Sequence, residues 1–400
     1  MCRSAKERIK NYNIHCFKGM DKPLFLISDC YPGIWLEHVY DSVIFAKMYP
    51  ENLPLAKNTL ELFIDRQREN GQFPCYVWDG AKHPDDFPTE RLTGYGQTQE
   101  CVSFAALCLD YYRMSGDRDF LKKCFDACVK WEQWFRDERM TLGAGLVEMF
   151  YGYDSGHDNS GRLTGMLYHG NAAEKPNATE EEKAADAAPI IAVDMNCNFY
   201  STEMSLAAMA DELSLPKKAE EYRAKAADVK KRLLDTCYDR NEKFFFDIDR
   251  HGAKRKYYSS TILHLFLEKV LDPEKDTVMI REICERWIFN PSEFWTPYPF
   301  PSMAATDPTT KAHAERNSWG YFSQALIALR CTRWMDAYGF SKEFDSLSER
   351  WLTAWASCCD DFHFGQELDP FTGKHSPSSE WYSSCMLFCL FAAKRLGFID

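Results

Sequence analysis

Two carboxylates, Asp154 and Asp158, stand four residues apart in YDSGHDNSGR (153–162), with a histidine, an asparagine and two glycines around them. Two more, Glu367 and Asp369, fall in GQELDPFTG (365–373). Breaking a glycosidic bond needs two carboxyl groups: one protonates the leaving oxygen, and the other activates a water or attacks the sugar carbon. A carboxyl beside aromatic rings loses solvent, which favours its neutral, proton-donating form. Asp, Asn, Ser and Gly also make up ordinary surface loops, so both readings stay open on composition alone.

The elements that must position these loops read as helices. Around 97–115, Cys101, Ala105, Cys108, Leu109 and Tyr112 share one face, and 118–136 follows after SGD. Further pairs are expected at 198–213 with 216–236 and at 317–338 with 342–357, with a last helix over 379–396. Adding 37–49, 51–69, 257–269 and 274–288 gives eleven or twelve helices, and FFFDID (244–249) is the one convincing strand, half of a small β-hairpin. Long helices in consecutive pairs without a fixed sequence period argue against TPR or HEAT arrays. They predict an all-α chain, an (α/α)6 toroid of six helical hairpins forming a single domain over 1–400, with an irregular α-solenoid as the alternative. An inserted loop at 163–189, rich in Ala, Glu and Gly, could serve as a lid. In a toroid, loops at one end converge, so segments far apart in sequence can build one pocket.

The net charge of −12 and the lack of a Lys/Arg stripe exclude nucleic acid as a partner, because phosphate neutralisation needs clustered cations. The run CMLFCLFAA is too short to span a bilayer. Sixteen cysteines with no CxxC pair and no apolar leader in MCRSAKERIKNY point to a reducing cytoplasm. No metal or other cofactor is expected, since P-loop, GxGxxG and HExxH motifs are all missing. CCDDFHF (358–364) resembles the magnesium motif of all-α terpene cyclases, but no second metal motif occurs in the 36 residues after it.

At these residues the chain resembles the inverting (α/α)6 glycosidases of the trehalase clan: trehalases, processing α-glucosidase I, and the mannosylglycerate and glucosylglycerate hydrolases. Their E-S-G-W-D-x-S motif, which carries the general acid, is similar to DSGHDNS here, with Asp158 at the acid position. Their V-D-L-N-A is similar to VDMNC (193–197), and their aromatic G-P-Y-G-x-P-S segment to FWTPYPFPS (294–302). Their E-x-Y-(D/N)-P-x-T-G resembles ELDPFTG, with Glu367 at the general base position. The resemblance covers roughly residue 30 to the end, in the right order.

The resemblance implies a single-displacement hydrolase of a small α-glucoside or α-mannoside, with a carbohydrate as its partner. It implies sugar contacts from Tyr40 and Asp41 (the family's W-D pair), Gln99, His157, Arg316, Trp319 of RNSWG, and Trp381 of EWYSS. His157 reads equally as a satisfied loop histidine, and Arg316 as a loop pin. Departures are Asp154 for the family's Glu, His157 for its Trp, Leu368 for its Tyr, and RNSWG for R-G-P-x-W. They leave the carboxylate pair intact and alter the shell around the sugar. Two rivals remain: a sugar 2-epimerase, which would need paired histidines drawn from His38, His157, His313 and His363, and a sugar-binding barrel without turnover. The sequence leaves a homo-oligomer open.

Overall fold

The computed structural model describes residues 1–28, 31–167, 187–310, 319–357, 364–376 and 382–400. Arg316, His313, His363, Trp381 and most of the expected insertion lie outside the described residues, as does most of CCDDFHF.

The helices are α1 (Cys2–Arg8), α2 (Val39–Met48), α3 (Leu53–Asp65), α4 (Phe104–Ser115), α5 (Arg118–Glu138), α6 (Val193–Glu212), α7 (Pro216–Cys237), α8 (His264–Leu267), α9 (Thr277–Ile283), α10 (Ala325–Arg330), α11 (Ser341–Ser357) and α12 (Ser383–Arg395). Two kinds alternate. α2 is buried at eight consecutive residues, Val39 to Ala46, and α6 and α12 are buried around most of their circumference. α5, α7 and α11 bury one stripe only; in α7 it runs Ala219, Tyr222, Ala226, Val229, Leu233. A helix apolar on all sides belongs inside, and one with a single apolar stripe belongs outside. The packing follows: α2 lies on α4, α4 on α6, α6 on α8, α10 on α12 and α12 back on α2, while α3, α5, α7 and α11 pair with their chain neighbours from the outer side. Phe266 of α8 meets Trp334, just beyond α10, at 5.3 Å between ring centroids. The buried apolar residues from Ala5 to Ala393 form one connected cluster.

Turn chemistry makes the hairpins tight. Between α4 and α5, Gly116 takes φ +68° and Asp117 caps α5 by accepting from Phe120 N.

Several sequence-based boundaries need correction. α4 begins at Phe104 rather than 97, because Gln99 adopts φ +53° and 97–103 runs as irregular chain. The helices expected at 257–269 and 317–338 shrink to α8 and α10, each flanked by a short 3-10 turn. FFFDID is not the lone strand. Phe244–Phe245 pairs with Tyr238–Asp239, and Asp247–Ile248 pairs with Lys254–Arg255 and with Ile191. Other two- and three-residue strands stitch the loops together, notably Gly33–Trp35 with Tyr76–Trp78 and Ser323–Gln324 with Glu367–Leu368. Such short pairings carry too few alternating residues to leave a period in the sequence. No helix among the described residues is long and apolar enough to cross a membrane.

Candidate active site

The turn that carries Asp158 is held from within. Asp154 is fully buried and accepts from the backbone N–H groups of Thr98 (2.8 Å), Phe150 (2.9 Å) and Tyr151 (3.0 Å), and from Arg139 Nη1 at 2.7 Å. A carboxylate so occupied is a staple rather than an acid, which removes Asp154 from the catalytic candidates. Gly156 then reverses the chain at φ +68°; a Cβ there would lie 2.5 Å from Cys101 Sγ and 3.0 Å from Glu37 Oε2. Only glycine satisfies both the angle and the approach. Asn159 also takes positive φ, +59°. Between them Asp158 emerges half-buried, its carbonyl accepting from Trp319 N at 3.1 Å.

Glu367 is held by its neighbours across a short antiparallel pairing. Gln324 Nε2 donates to Oε1 at 3.1 Å, and Ser376 Oγ donates to Oε2 at 2.7 Å. Asp369, the other carboxylate of that loop, accepts from Phe371 N, Thr372 N and the Thr372 hydroxyl through one oxygen, and from Tyr321 Oη at 2.9 Å through the other. It closes the DPFTG turn that brings Ser376 back to Glu367, and is a structural group.

A cavity of about 160 Å³ opens beside these two segments. Asp158, Gln99 and Trp319 line it, together with Glu37, His38, Gln366 and the aromatics Tyr31, Trp35, Tyr153 and Tyr382. Glu367 lies one step behind the wall: Gln366 Nε2 donates to Gln324 Oε1 at 3.2 Å, and Gln324 in turn donates to Glu367. Glu37 is paired with Arg330 Nη2 at 2.7 Å and accepts from Gln99 Nε2 at 3.3 Å. His38 is buried, and burial pushes its pKa down to about 4, so it is neutral at ordinary pH. Sequence reasoning missed Glu37, Tyr31, Trp35, Gln97, Tyr153 and Tyr382 as lining residues, and named His38 only for the epimerase alternative. The one available signal was proximity, since Glu37 and His38 lie three and two residues before Tyr40.

Of the other expected sugar contacts, Tyr40, Asp41 and His157 lie away from this cavity. Tyr40 turns into the core, its hydroxyl on Leu329 O and Thr332 Oγ1. Asp41 accepts from Ser383 Oγ, and burial pushes its pKa up to about 7. His157 lies flat on Trp319, centroids 4.3 Å apart with 12° between the planes, and faces a small space shared with His264 and Arg330 rather than the cavity. Burial drives its pKa well below the usual imidazole value. Arg316 and Trp381 are outside the described residues.

Beneath this layer Arg162, 1% exposed, binds Asp194 of VDMNC bidentately (2.8 and 3.0 Å) and Asp247 at 3.1 Å. Burial alone would raise the Asp194 pKa, but the Arg162 guanidinium outweighs it and holds the carboxyl below its usual range. Asp194 also accepts its own helix's Met195 N–H. The VDMNC resemblance therefore falls on a buried ion pair that fixes the start of α6 against the chain just after the Asp158 turn.

The model of the mannosylglycerate hydrolase MGH1-like glycoside hydrolase domain matches residues 44–381. A mannosylglycerate hydrolase of Rubrobacter radiotolerans is 30% identical over 146 residues, 32% of this chain and 32% of that protein, so the match spans about a third of the curated relative. Among solved structures, the GH63 mannosylglycerate hydrolase of Thermus thermophilus in complex with Tris and D-glycerate is 18% identical with a TM-score of 0.73, covering 97% of this chain and 98% of that one. The neutral trehalase of Saccharomyces cerevisiae is 14% identical with a TM-score of 0.69, covering 99% of this chain and 80% of that one. At those identities the likeness speaks for the fold. The family model spans most of the chain, and with it this protein belongs to the MGH1-like glycoside hydrolase domains.

Proposed function

We propose that this chain hydrolyses a small α-glucoside or α-mannoside by single displacement, with Asp158 as general acid and Glu367 as general base. One observation supports the reading: loops 209 residues apart come to one cavity, with Asp158 on its wall and Glu367 joined to that wall by hydrogen bonds through Gln324 and Gln366. The other acids of the two loops, Asp154 and Asp369, are consumed by hydrogen bonds that build the turns. Tyr31, Trp35, Tyr153, Trp319 and Tyr382 supply apolar faces against which the carbon side of a pyranose can pack, and Gln97, Gln99 and Gln366 supply amides for its hydroxyls.

The helices are read as one catalytic domain, a toroid of six hairpins. The chain-order packing of α2, α4, α6 and α8, and the return of α12 to α2, support that reading. All described cysteines are free thiols, in keeping with a reducing compartment. The relative solved with D-glycerate suggests a compact aglycone as the starting point for assay.

Hydrolysis of a panel of α-glucosides and α-mannosides, including mannosylglycerate and glucosylglycerate, tests the proposal. Release of free sugar that is lost in both Asp158→Asn and Glu367→Gln supports it. Interconversion of free sugars without hydrolysis would favour the epimerase, and saturable binding without turnover a binding barrel.

A further inference from the structure

The space that His157 faces is small, about 20 Å³, and every side chain bordering it is buried. Leu267 and Trp334 belong to its apolar walls, while His157, Ser260, His264 and Arg330 make up its polar part. Three of these carry a buried polar atom with no hydrogen-bond partner among the described residues: His157 Nε2, Ser260 Oγ and Arg330 Nη1. Most buried side-chain polar atoms in folded proteins are paired, so three orphans around one space point to a shared partner. Each atom has a definite role. Arg330 Nη1 can only donate, and Ser260 Oγ can donate or accept. His157 is neutral, because burial drives its pKa well below the usual imidazole value. Its Nδ1 lies 4.0 Å from Asp194 Oδ2, so the ring proton sits on Nδ1, facing the carboxylate, and Nε2 keeps its lone pair. Asn198 donates its amide to Glu100 O at 2.5 Å, which leaves Asn198 Oδ1 to accept from His264 Nδ1 at 3.3 Å. The neutral His264 ring thus also keeps Nε2 as an acceptor.

We infer that this space is a binding site for a single water molecule, which accepts from Arg330 Nη1, donates to His157 Nε2 and exchanges a hydrogen bond with Ser260 Oγ. The volume agrees, since about 10–15 Å³ is enough for one water and a buried water takes two to four polar partners. No sugar fits there. A halide would need donors on every side, and the lone pair of His157 Nε2 repels it. The positive charge of Arg330 is already met by Glu37 Oε1 at 2.7 Å. The position gives the water a role. His157 precedes Asp158 and lies flat on Trp319, and Arg330 holds Glu37; Asp158, Trp319 and Glu37 all line the larger cavity. The water therefore ties together two supports of that cavity's wall. The site rests on packing and on donor and acceptor chemistry, and does not depend on the reaction proposed above.

A crystal structure of the wild-type protein, with a second crystal soaked in sodium bromide, tests the site. One density peak of water strength is expected within hydrogen-bond distance of Arg330 Nη1, His157 Nε2 and Ser260 Oγ, without an anomalous bromide signal. A space free of density, or a bromide peak in it, overturns the inference. Ser260→Val puts methyl groups where the hydroxyl stood, and its crystal should lack the peak. Its melting temperature should fall below that of Ser260→Ala, which leaves the water its other two partners. Equal melting temperatures in the two variants would mean that Arg330 and His157 need no water, and would overturn the site. If Ser260→Val does not fold, ring nitrogen shifts of His157 in the wild-type protein at neutral pH, assigned by comparison with His157→Gln, take its place. A ring protonated at Nδ1 is expected, and one protonated at Nε2 overturns the assignment.

Discussion

Gln324 donates its side-chain amide to Glu367, Nε2 to Oε1 at 3.1 Å, while the same side chain accepts from Gln366 on the cavity wall. The amide thus fixes the orientation of the proposed base. Glu367→Gln should lower turnover by about 10²–10⁴-fold with the fold intact, the usual contribution of a positioned acid or base. Gln324→Leu should cost less, because Ser376 still holds the other oxygen. Its signature would be a lower kcat with little change in KM. Single-turnover and steady-state rates on both variants check the order, and near-normal turnover in Glu367→Gln would remove it from the base role.

Glu37 offers an internal control, being a second carboxylate on the same wall. Its bond to Arg330 is fully buried, so Glu37→Gln strands a guanidinium, and loss of one partner of a buried pair costs about 3–5 kcal/mol. The expected outcome is a large drop in urea midpoint. A Glu37→Gln chain of normal stability with turnover lost by orders of magnitude would instead move the base role to Glu37.

The sequence made the helical pairs and both acid-bearing loops legible for physical reasons. α5, α7 and α11 each carry one apolar stripe, and the DSGHDNS and ELDPFTG turns need particular residues at particular angles. It pointed to Gln99 but did not reveal the rest of the cavity wall, at 31–38 and at Gln97. Glu37 and His38 sit in a 3-10 turn whose burial is set entirely by partners such as Arg330, 293 residues away. The resemblance aligns Tyr40 and Asp41 with sugar contacts, yet their polar atoms are taken by Thr332 and Ser383. A linear motif marks a position in the chain, whereas the direction of its side chain is decided by contacts across the fold.

Asp41 should leave a mark on stability. Its folded pKa, about 7 through burial, lies above the ordinary aspartate value of about 3.9. Below pH ~4 the group is protonated in both states. As pH rises from there toward 7, the unfolded chain ionises while the folded one keeps its proton, and stability falls by up to about 1.4 kcal/mol per pH unit. Asp41→Asn removes this titration and still offers Ser383 an acceptor. Its melting temperature relative to wild type should therefore climb between pH 4 and 7 and level off above. A difference flat across pH 4–8 would mean that Asp41 is ionised in the fold.

Metal removal gives a simple negative test. Among the described residues no group of three His, Cys, Asp or Glu side chains is placed to hold a metal. Hydrolysis should survive exhaustive dialysis against EDTA. Loss that is complete and restored by a divalent ion would contradict a mechanism run by two carboxyl groups alone.

The stereochemical outcome tests the mechanism most directly. In single displacement a water must fit between base and anomeric carbon, so inverting enzymes hold their carboxyls about 6.5–9.5 Å apart, against about 5–5.5 Å when one carboxylate is itself the nucleophile. Gln324 and Ser376 each donate to one oxygen of Glu367, which fixes the carboxylate in a single orientation. On the single-displacement reading, that orientation serves to take a proton from the attacking water. The first-formed sugar should then have the anomeric configuration opposite to that of the substrate, read by proton NMR within the first turnovers, before mutarotation. Retention at early times, or trapping of a glycosyl ester on Glu367 by a 2-fluoro glycoside, would replace inversion with a covalent route. Azide adds a further check: in an Asp158→Gly or Glu367→Gly background it should rescue turnover only where it can occupy the missing base position. In the Glu367→Gly enzyme it should give a glycosyl azide of inverted configuration, whereas a retained azide would require a covalent intermediate on another carboxylate and would make Glu367 the acid–base group of a double displacement.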